Sequence, residues 1–389
     1  MSFKDASAFM IVLQVIPELE AGGAERTTLE VAEAVIADGG RALVASQGGR
    51  LEDELTALGG ELLRLPVASK NPLTLWSNMR ALIAIIKREA VQIVHARSRA
   101  PAWSAKWACD RTEAHFVTTY HGTYNARSAL KRRYNSVMAL GERVIANSQF
   151  IGEHVRAEHG VDEARLAVIP RGVDLERFDP AVVASGRVAD LARSWGVDDL
   201  AGAPLLLLPG RLTGWKGQRE AIRALASLNG TDPAPHLLLV GDAQGRETYV
   251  AELEALARSL RVAERVHRVG HCSDMPAALA LCDLVLTPSV EPEAFGRTAA
   301  EAGAMGRLVI AADHGGAREV VIEGETGWRV APGDSQALAT AIATALGLDR
   351  NLHDRMTQAA RDHVAAHFST RSLQASTLRV YHEVLNSSP

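Results

Sequence analysis

The chain has 389 residues, 47 % of them apolar, and a formal charge of -4, which is enough length for more than one hydrophobic core and leaves no global cation surplus for nucleic acid. Its three cysteines, Cys109, Cys272 and Cys282, form no C-x-x-C pair and join no Cys/His cluster of zinc-ligand spacing. That excludes a disulfide scaffold and a structural zinc site, and a reduced, cytoplasmic setting is expected.

The opening run "AFMIVLQVIP" is far shorter than a membrane span and lacks a small-residue cleavage site, so it reads as a first strand. The first half then alternates short apolar runs, "FMIVLQVI", "RALVAS", "VQIVHA", "HFVTTYH" and "RVIANS", with amphipathic stretches such as "AERTTLEVAEAVIADG" and "LWSNMRALIAIIKRE". This is the pattern of βαβ units on a parallel sheet. Residues 179–203 contain no strand-like run, carry a helical pattern in "VADLARSWGV", and mark the divide. The second half repeats the alternation with "PLLLLPG", "HLLLVGD", "VHRVG", "DLVLTPS" and "GRLVIAAD". The final "STRSLQASTLRVYHEVL" is helical and is expected to pack back on the first domain. The fold class is therefore α/β: two Rossmann-like, doubly wound domains, the first over 1–180 with the helix of about 370–389, the second over 200–369. Such domains offer a cleft at the carboxyl ends of their sheets, with the chemistry in strand-to-helix loops.

Several of these loops carry polar or glycine-rich chemistry. In "PELEAGGAERTTLEVA", Gly22 and Gly23 either let backbone approach a phosphate or sugar at a helix N-terminus or serve a tight turn. They do not form G-x-G-x-x-G, and no acidic ribose ligand follows, which counts against a dinucleotide oxidoreductase. His121 in "TTYHGTYN" ends a strand, where an imidazole reaches a hydroxyl or phosphate, although a lone histidine also suits a structural role. In "LPGRLTGWKGQREAI", Arg211 and Lys216 flank a glycine turn before a helix; they either converge on one diphosphate or form a solvated basic turn. "VIPRGVDLERF" and "HGGAREV", with Gly172, Asp174, Gly315 and Gly316, read as turns or as weak sites.

The densest signal is "EPEAFGRTAAEAGAMG" after the strand "LALCDLVLTPS". A helix beginning near Gly296 directs the N–H groups of Gly296, Arg297 and Thr298 at a ligand. Glu293 lies just before that helix and Glu301 one turn inside it, and a carboxylate suits vicinal hydroxyls. Taken singly, each also fits a dipole complement or a surface charge.

Together, "GGAE", "YHG", "ANS", "IPRGVD", "GRLTGWKG", the E-x7-E element and "GGAREV" resemble a retaining GT-B glycosyltransferase of the family 4 type over nearly the whole chain. The resemblance implies two domains facing an interdomain cleft, an N-terminal acceptor-binding domain and a C-terminal nucleotide-sugar domain. It implies that Arg211 and Lys216 hold the donor diphosphate, Glu301 the ribose, Glu293 the sugar or its phosphate side, with Phe295, Gly296, Arg297 and Thr298 around them. His121 would line the donor-sugar pocket and Gly23 would lie at the phosphates or acceptor. Arg171 stands where the family commonly has Asn, and Gly303 replaces a bulkier apolar residue.

No D-x-D pair occurs, so no cofactor and no metal are expected, the charge being supplied by Arg211, Lys216 and the helix N-terminus. Retention is implied by the resemblance. No opposite-face carboxylate is identifiable for a covalent route, which favours front-face attack with the leaving phosphate taking the acceptor proton. Arg97, Arg99, Arg127, Lys131, Arg132 and Arg133 gather charge near Trp103, Trp107, Tyr124 and Tyr134, a mixture suited to a phosphorylated glycolipid or anionic membrane and equally to a solvated helix face. The expected partners are a nucleotide sugar, a glycolipid or saccharide acceptor bound with help from Gly22, Arg97, Arg99, Tyr124 and Arg171, and the inner face of the membrane, but no nucleic acid.

Overall fold

The computed structural model describes residues 9–20, 22–124, 128–200 and 202–387. The chain forms two compact units, one running up to Gly172 and resuming at Thr370, the other spanning Val173–Ser369. The stretch 173–180, expected with the first domain, belongs to the second: Val173 and Phe178 are buried in its core.

The first unit is a seven-stranded parallel sheet: β1 (Ile11–Val15), β2 (Arg41–Ser46), β3 (Glu61–Arg64), β4 (Ile93–Ala96), β5 (His115–Tyr120), β6 (Arg143–Ala146) and β7 (Leu166–Val168), in the order β3-β2-β1-β4-β5-β6-β7. The second is a six-stranded parallel sheet: β8 (Leu205–Pro209), β9 (His236–Val240), β10 (Val266–Gly270), β11 (Leu284–Thr287), β12 (Leu308–Ala312) and β13 (Gly327–Val330), ordered β10-β9-β8-β11-β12-β13. Strands β3, β7 and β13 were not among the apolar runs read from sequence. All three are short edge strands with partly exposed side chains: β3 and β13 are interrupted by charged residues or glycine, and β7, although apolar, is only three residues long.

Alternation along the central strands divides each core. In the second unit Leu206, Leu208, Leu237, Leu239, Leu284 and Leu286 fill one face, and Leu205, Leu207, Leu238, Val240 and Val285 the other. In the first, Val12, Val44, Ile93, Val117 and Ile145 pack on the helix Gly23–Ala37 and on Leu373, Val380, Tyr381 and Val384 of the C-terminal helix Thr370–Asn386.

A polar chain ties that last helix to the sheet. His95 Nδ1 lies 2.6 Å from the Tyr381 hydroxyl and Nε2 2.6 Å from Thr119 Oγ1. Arg97 donates to the same Thr119 oxygen at 3.5 Å. Burial, and then the Arg97 charge, hold His95 well below its ordinary value of 6.5. The unfolded chain therefore takes up a proton that the folded chain refuses, so this stability is present above pH 6.5 and is lost as pH falls below it. Below about pH 5.5, wild type is expected to lose stability about 1.4 kcal/mol per pH unit faster than His95→Gln. Urea unfolding at a series of pH values checks this, and equal slopes would contradict it.

Candidate functional site

Open parallel sheets bind ligands beyond the carboxyl ends of their strands, where the strand order reverses. In the first unit the reversal lies between β1 and β4, in the second between β8 and β11. Gly22 and Gly23 follow β1, Arg97 and Arg99 follow β4, Arg211 and Lys216 follow β8, and Glu293 and Gly296 follow β11. Topology thus selects four of the loops that sequence chemistry singled out.

In the second unit, Lys216 and Glu293 are joined rather than separate. Lys216 Nζ donates to Glu293 Oε1 at 2.8 Å, with the two side chains 15 % and 16 % exposed, so the pair is fixed but still reachable. Ser289 Oγ donates to the same carboxylate oxygen at 2.5 Å, and the ammonium lies 4.5 Å from the Trp215 ring centre. The loops themselves are bound together by the Val290 N–H on Trp215 O, 2.7 Å. Gly217 has φ +80°, and a Cβ there would strike Pro288 O, so only glycine lets the turn close on the neighbouring loop. Arg211 is exposed, and its carbonyl accepts from Gln218 Nε2 at 3.0 Å.

Gly296 caps the helix Arg297–Ala304, which places Arg297 and Thr298 in its first turn and Glu301 one turn in, partly exposed. The Phe295 side chain turns inward. It is 2 % exposed and packs edge-on against Phe368 with ring centres 5.3 Å apart, so it anchors the loop in the core. Gly315 and Gly316 underlie this loop: Gly316 N–H donates to Glu293 O at 2.8 Å, and a Cβ on Gly316 would meet Phe295 Cα at 2.5 Å. Gly303 has its own reason, since a Cβ there would lie 2.9 Å from Val364 on the helix Arg350–His367.

In the first unit a narrow cavity is lined by Thr27, Arg97, Thr119, His121, Asn147 and Arg171, with Ile145, Ile169, Leu373 and Thr377 completing its wall. It unites residues from the ends of β4, β5, β6 and β7. Arg171 Nη2 donates to His121 Nδ1 at 3.3 Å. The Arg171 guanidinium occupies the space a Cβ on Gly23 would need, so this arginine and that glycine fit as a pair.

Arg97 is not part of a surface basic patch, as the sequence suggested. It is 2 % exposed, and Gln14 Oε1 accepts from its Nε at 2.8 Å and its Nη2 at 2.5 Å, while burial lowers its pKa. Arg99 donates to Asn135 Oδ1 at 3.0 Å and lies 4.0 Å over the Tyr124 ring. Gly22 caps the helix Gly23–Ala37. Of the basic cluster, Arg127 lies outside the described residues; Lys131, Arg132 and Arg133 are exposed, Arg132 pairing with Glu158.

Sequence reasoning passed over four polar side chains. Gln14 sits inside an apolar strand, where its amide orients Arg97. Asn147, 2 % exposed, has no partner on either amide atom, and the buried hydroxyls of Thr213 and Thr287 have none either. A polar residue at the carboxyl end of a buried strand was the available signal. Among the described residues no group of three His, Cys, Asp or Glu side chains is placed to hold a metal ion.

Comparison with known proteins agrees with this geometry. The family described as Glycosyltransferase Family 4 matches residues 21–177, and that described as Glycosyl transferases group 1 matches residues 199–363. A glycosyltransferase from Rickettsia africae ESF-5 is 36 % identical, with a TM-score of 0.90 over 98 % of this chain and 100 % of that one. Anabaena Alr3699/HepE, solved in complex with UDP and glucose, is 26 % identical with a TM-score of 0.82, covering 96 % of this chain and 99 % of its own. A D-inositol 3-phosphate glycosyltransferase of Xylanimonas cellulosilytica is 33 % identical over 65 % of this chain, and the match spans only 60 % of that enzyme's length.

Proposed function

Because this chain belongs to the GT-B glycosyltransferases, with a family 4 half followed by a group 1 half, we propose that it moves a hexose from a UDP- or GDP-sugar to a glycolipid or lipopolysaccharide-type acceptor, with retention of configuration. The observation that carries this reading is the Lys216–Glu293–Ser289 cluster at the strand-order reversal of the second sheet, beside Arg211 and the helix that contains Glu301. Cleavage of the anomeric bond to phosphate builds negative charge on the departing diphosphate, and preorganised donors around that charge lower the barrier. Arg211 and Lys216 supply cations and the helix N-terminus supplies N–H groups. Glu301 holds the ribose hydroxyls, and Glu293 positions both Lys216 and the sugar. The acceptor hydroxyl attacks from the leaving-group side, and the departing phosphate oxygen takes its proton.

A panel of UDP-, GDP- and ADP-sugars, each assayed with and without a lipid-linked saccharide, tests the reaction class. Acceptor-dependent release of nucleoside diphosphate is expected, and it should persist in saturating chelator. Epimerised nucleotide sugar formed without acceptor would make the protein an epimerase, and an absence of donor breakdown would make it a binding module. A strict divalent requirement would add a metal to the mechanism.

The proposed acceptor also places the enzyme at a membrane face. Among the described residues no helix is long and apolar enough to cross a membrane. Leu130, 81 % exposed, stands beside Lys131, Arg132 and Arg133, an apolar residue among cations suited to an anionic bilayer surface. Cosedimentation with anionic but not zwitterionic vesicles is expected; equal failure with both removes the membrane from the proposal.

A further inference from the structure

The loop after β12, in "HGGAREV", takes no part in the reaction described so far, yet it grips the segment that carries Ser289 and Glu293 at two points. His314 Nε2 lies 2.8 Å from Ser289 O, and the Gly316 N–H donates to Glu293 O at 2.8 Å. A carbonyl oxygen only accepts, so His314 Nε2 carries the proton and donates it. The loop is itself held in place. The Asp313 N–H donates to Val330 O at 2.7 Å, and Arg318 donates to both Asp313 carboxylate oxygens, from Nε at 2.9 Å and from Nη2 at 3.2 Å. Such a two-pronged pair fixes orientation as well as distance. Ser289 is what the imidazole secures. It is 1 % exposed, and its Oγ donates at 2.5 Å to the same Glu293 oxygen that accepts from Lys216 Nζ at 2.8 Å. The peptide unit that follows Ser289 is pinned at both ends: its carbonyl accepts from His314, and its N–H, that of Val290, donates to Trp215 O at 2.7 Å. Because a peptide unit is planar, two such ties fix its orientation, and with it the direction of the Ser289 side chain. Without the imidazole only the Trp215 tie remains on that unit.

We propose that His314 is a positioning residue for the transfer: it fixes the Ser289–Val290 peptide, which keeps the Ser289 hydroxyl on Glu293 and so holds the Glu293 carboxylate where it seats the Lys216 ammonium. His314 touches no substrate in this scheme, and no proton moves to or from it. Its place in catalysis rests on the transferase reading, whereas the ordering of Lys216 does not. The donor must also sit at the far tip of the ring, a reach that the Nε2 of a glutamine copies and the shorter Nδ2 of an asparagine does not.

The test compares His314→Ala, His314→Gln and His314→Asn in the full chain. His314→Ala should lower kcat about tenfold, the scale of one neutral hydrogen bond, while KM for the donor stays within about twofold, because the loss falls on the developing charge rather than on ground-state binding. His314→Gln should recover most of that kcat and His314→Asn should not. In Ser289→Ala there is no hydroxyl left to aim, so adding His314→Ala should cost less than about twofold more. Unchanged kcat in His314→Ala, a loss that appears in KM instead, a loss that glutamine does not relieve, or a double variant whose loss is the product of the single ones would each overturn the proposal. A second reading needs no sugar donor. In nitrogen-labelled protein the Lys216 ammonium, assigned by its absence in Lys216→Ala, should give a resolved proton–nitrogen NMR signal in wild type and His314→Gln and lose it in His314→Ala, where the loosened ion pair exchanges its protons with water. If that pattern is found and wild type transfers sugar from no nucleotide sugar, the positioning of Lys216 stands and the transferase reading falls. If wild type transfers sugar and kcat is indifferent to His314→Ala, the transferase reading stands and the role of His314 falls.

Discussion

Lys216→Ala is expected to lower kcat by about two to three orders of magnitude, the loss typical when one preorganised donor is taken from a developing anion. The ammonium is seated in advance: Glu293 Oε1 accepts from it at 2.8 Å and the Trp215 ring lies beneath it. It therefore costs no reorganisation when the diphosphate gains charge. Lys216→Arg should not restore turnover, because a planar guanidinium spreads its donors away from the point where a compact ammonium sits. Circular dichroism and thermal melting establish that the variant is folded, and steady-state kinetics on the correct donor measure the loss. Near-normal turnover in folded Lys216→Ala would take this residue out of the mechanism. Because Lys216 and Glu293 act through one ion pair, the double variant Lys216→Ala/Glu293→Gln should lose much less than the sum of the single losses.

The two glutamates should fail in different ways. Glu301 is assigned to the ribose, which is unchanged by the reaction, so its loss weakens ground-state binding and raises KM. Glu301→Gln surrenders charge-assisted hydrogen bonds, each worth about 1.5–3 kcal/mol, so affinity for the free nucleoside diphosphate should fall by about one to two orders of magnitude. Glu293→Gln removes the carboxylate that now neutralises Lys216. The site becomes more positive, so nucleoside diphosphate binding should hold or tighten, while kcat falls because the ammonium and the sugar lose their common support. Calorimetry with the free nucleotide and kinetics on each variant separate the two effects. Nucleotide affinity lost in Glu293→Gln and kept in Glu301→Gln would reverse the assignments.

How much of this was legible before the fold differs from residue to residue. The glycine turn holding Arg211 and Lys216 announces itself, because such a turn and its cations are local features of a few consecutive residues. The helix start at Gly296 is equally local, and it falls where the sequence placed it. The inward turn of Phe295 was not legible, because a motif does not say which of its side chains is buried; its packing against Phe368 depends on a residue far along the chain. The burial of Arg97 was hidden for the same reason, since its partner Gln14 lies within an apolar strand.

The chain by itself determined the fold class, because a parallel sheet covered on both faces needs apolar runs spaced by amphipathic helices, and that periodicity is written residue by residue. It also singled out the loops in which glycines, cations and carboxylates lie close together, since such spacing within one loop survives without any knowledge of neighbours. Only the tertiary structure decided which of those loops meet. Strand order, not sequence order, brings the loop after β8 beside the loop after β11, so Lys216 and Glu293 become one ion pair. The same packing gathers Arg97, His121, Asn147 and Arg171 from four strand ends around one cavity. Edge strands, buried cations and unpartnered amides are set by such distant neighbours, and a contact between residues far apart in the chain leaves no periodic trace in either segment.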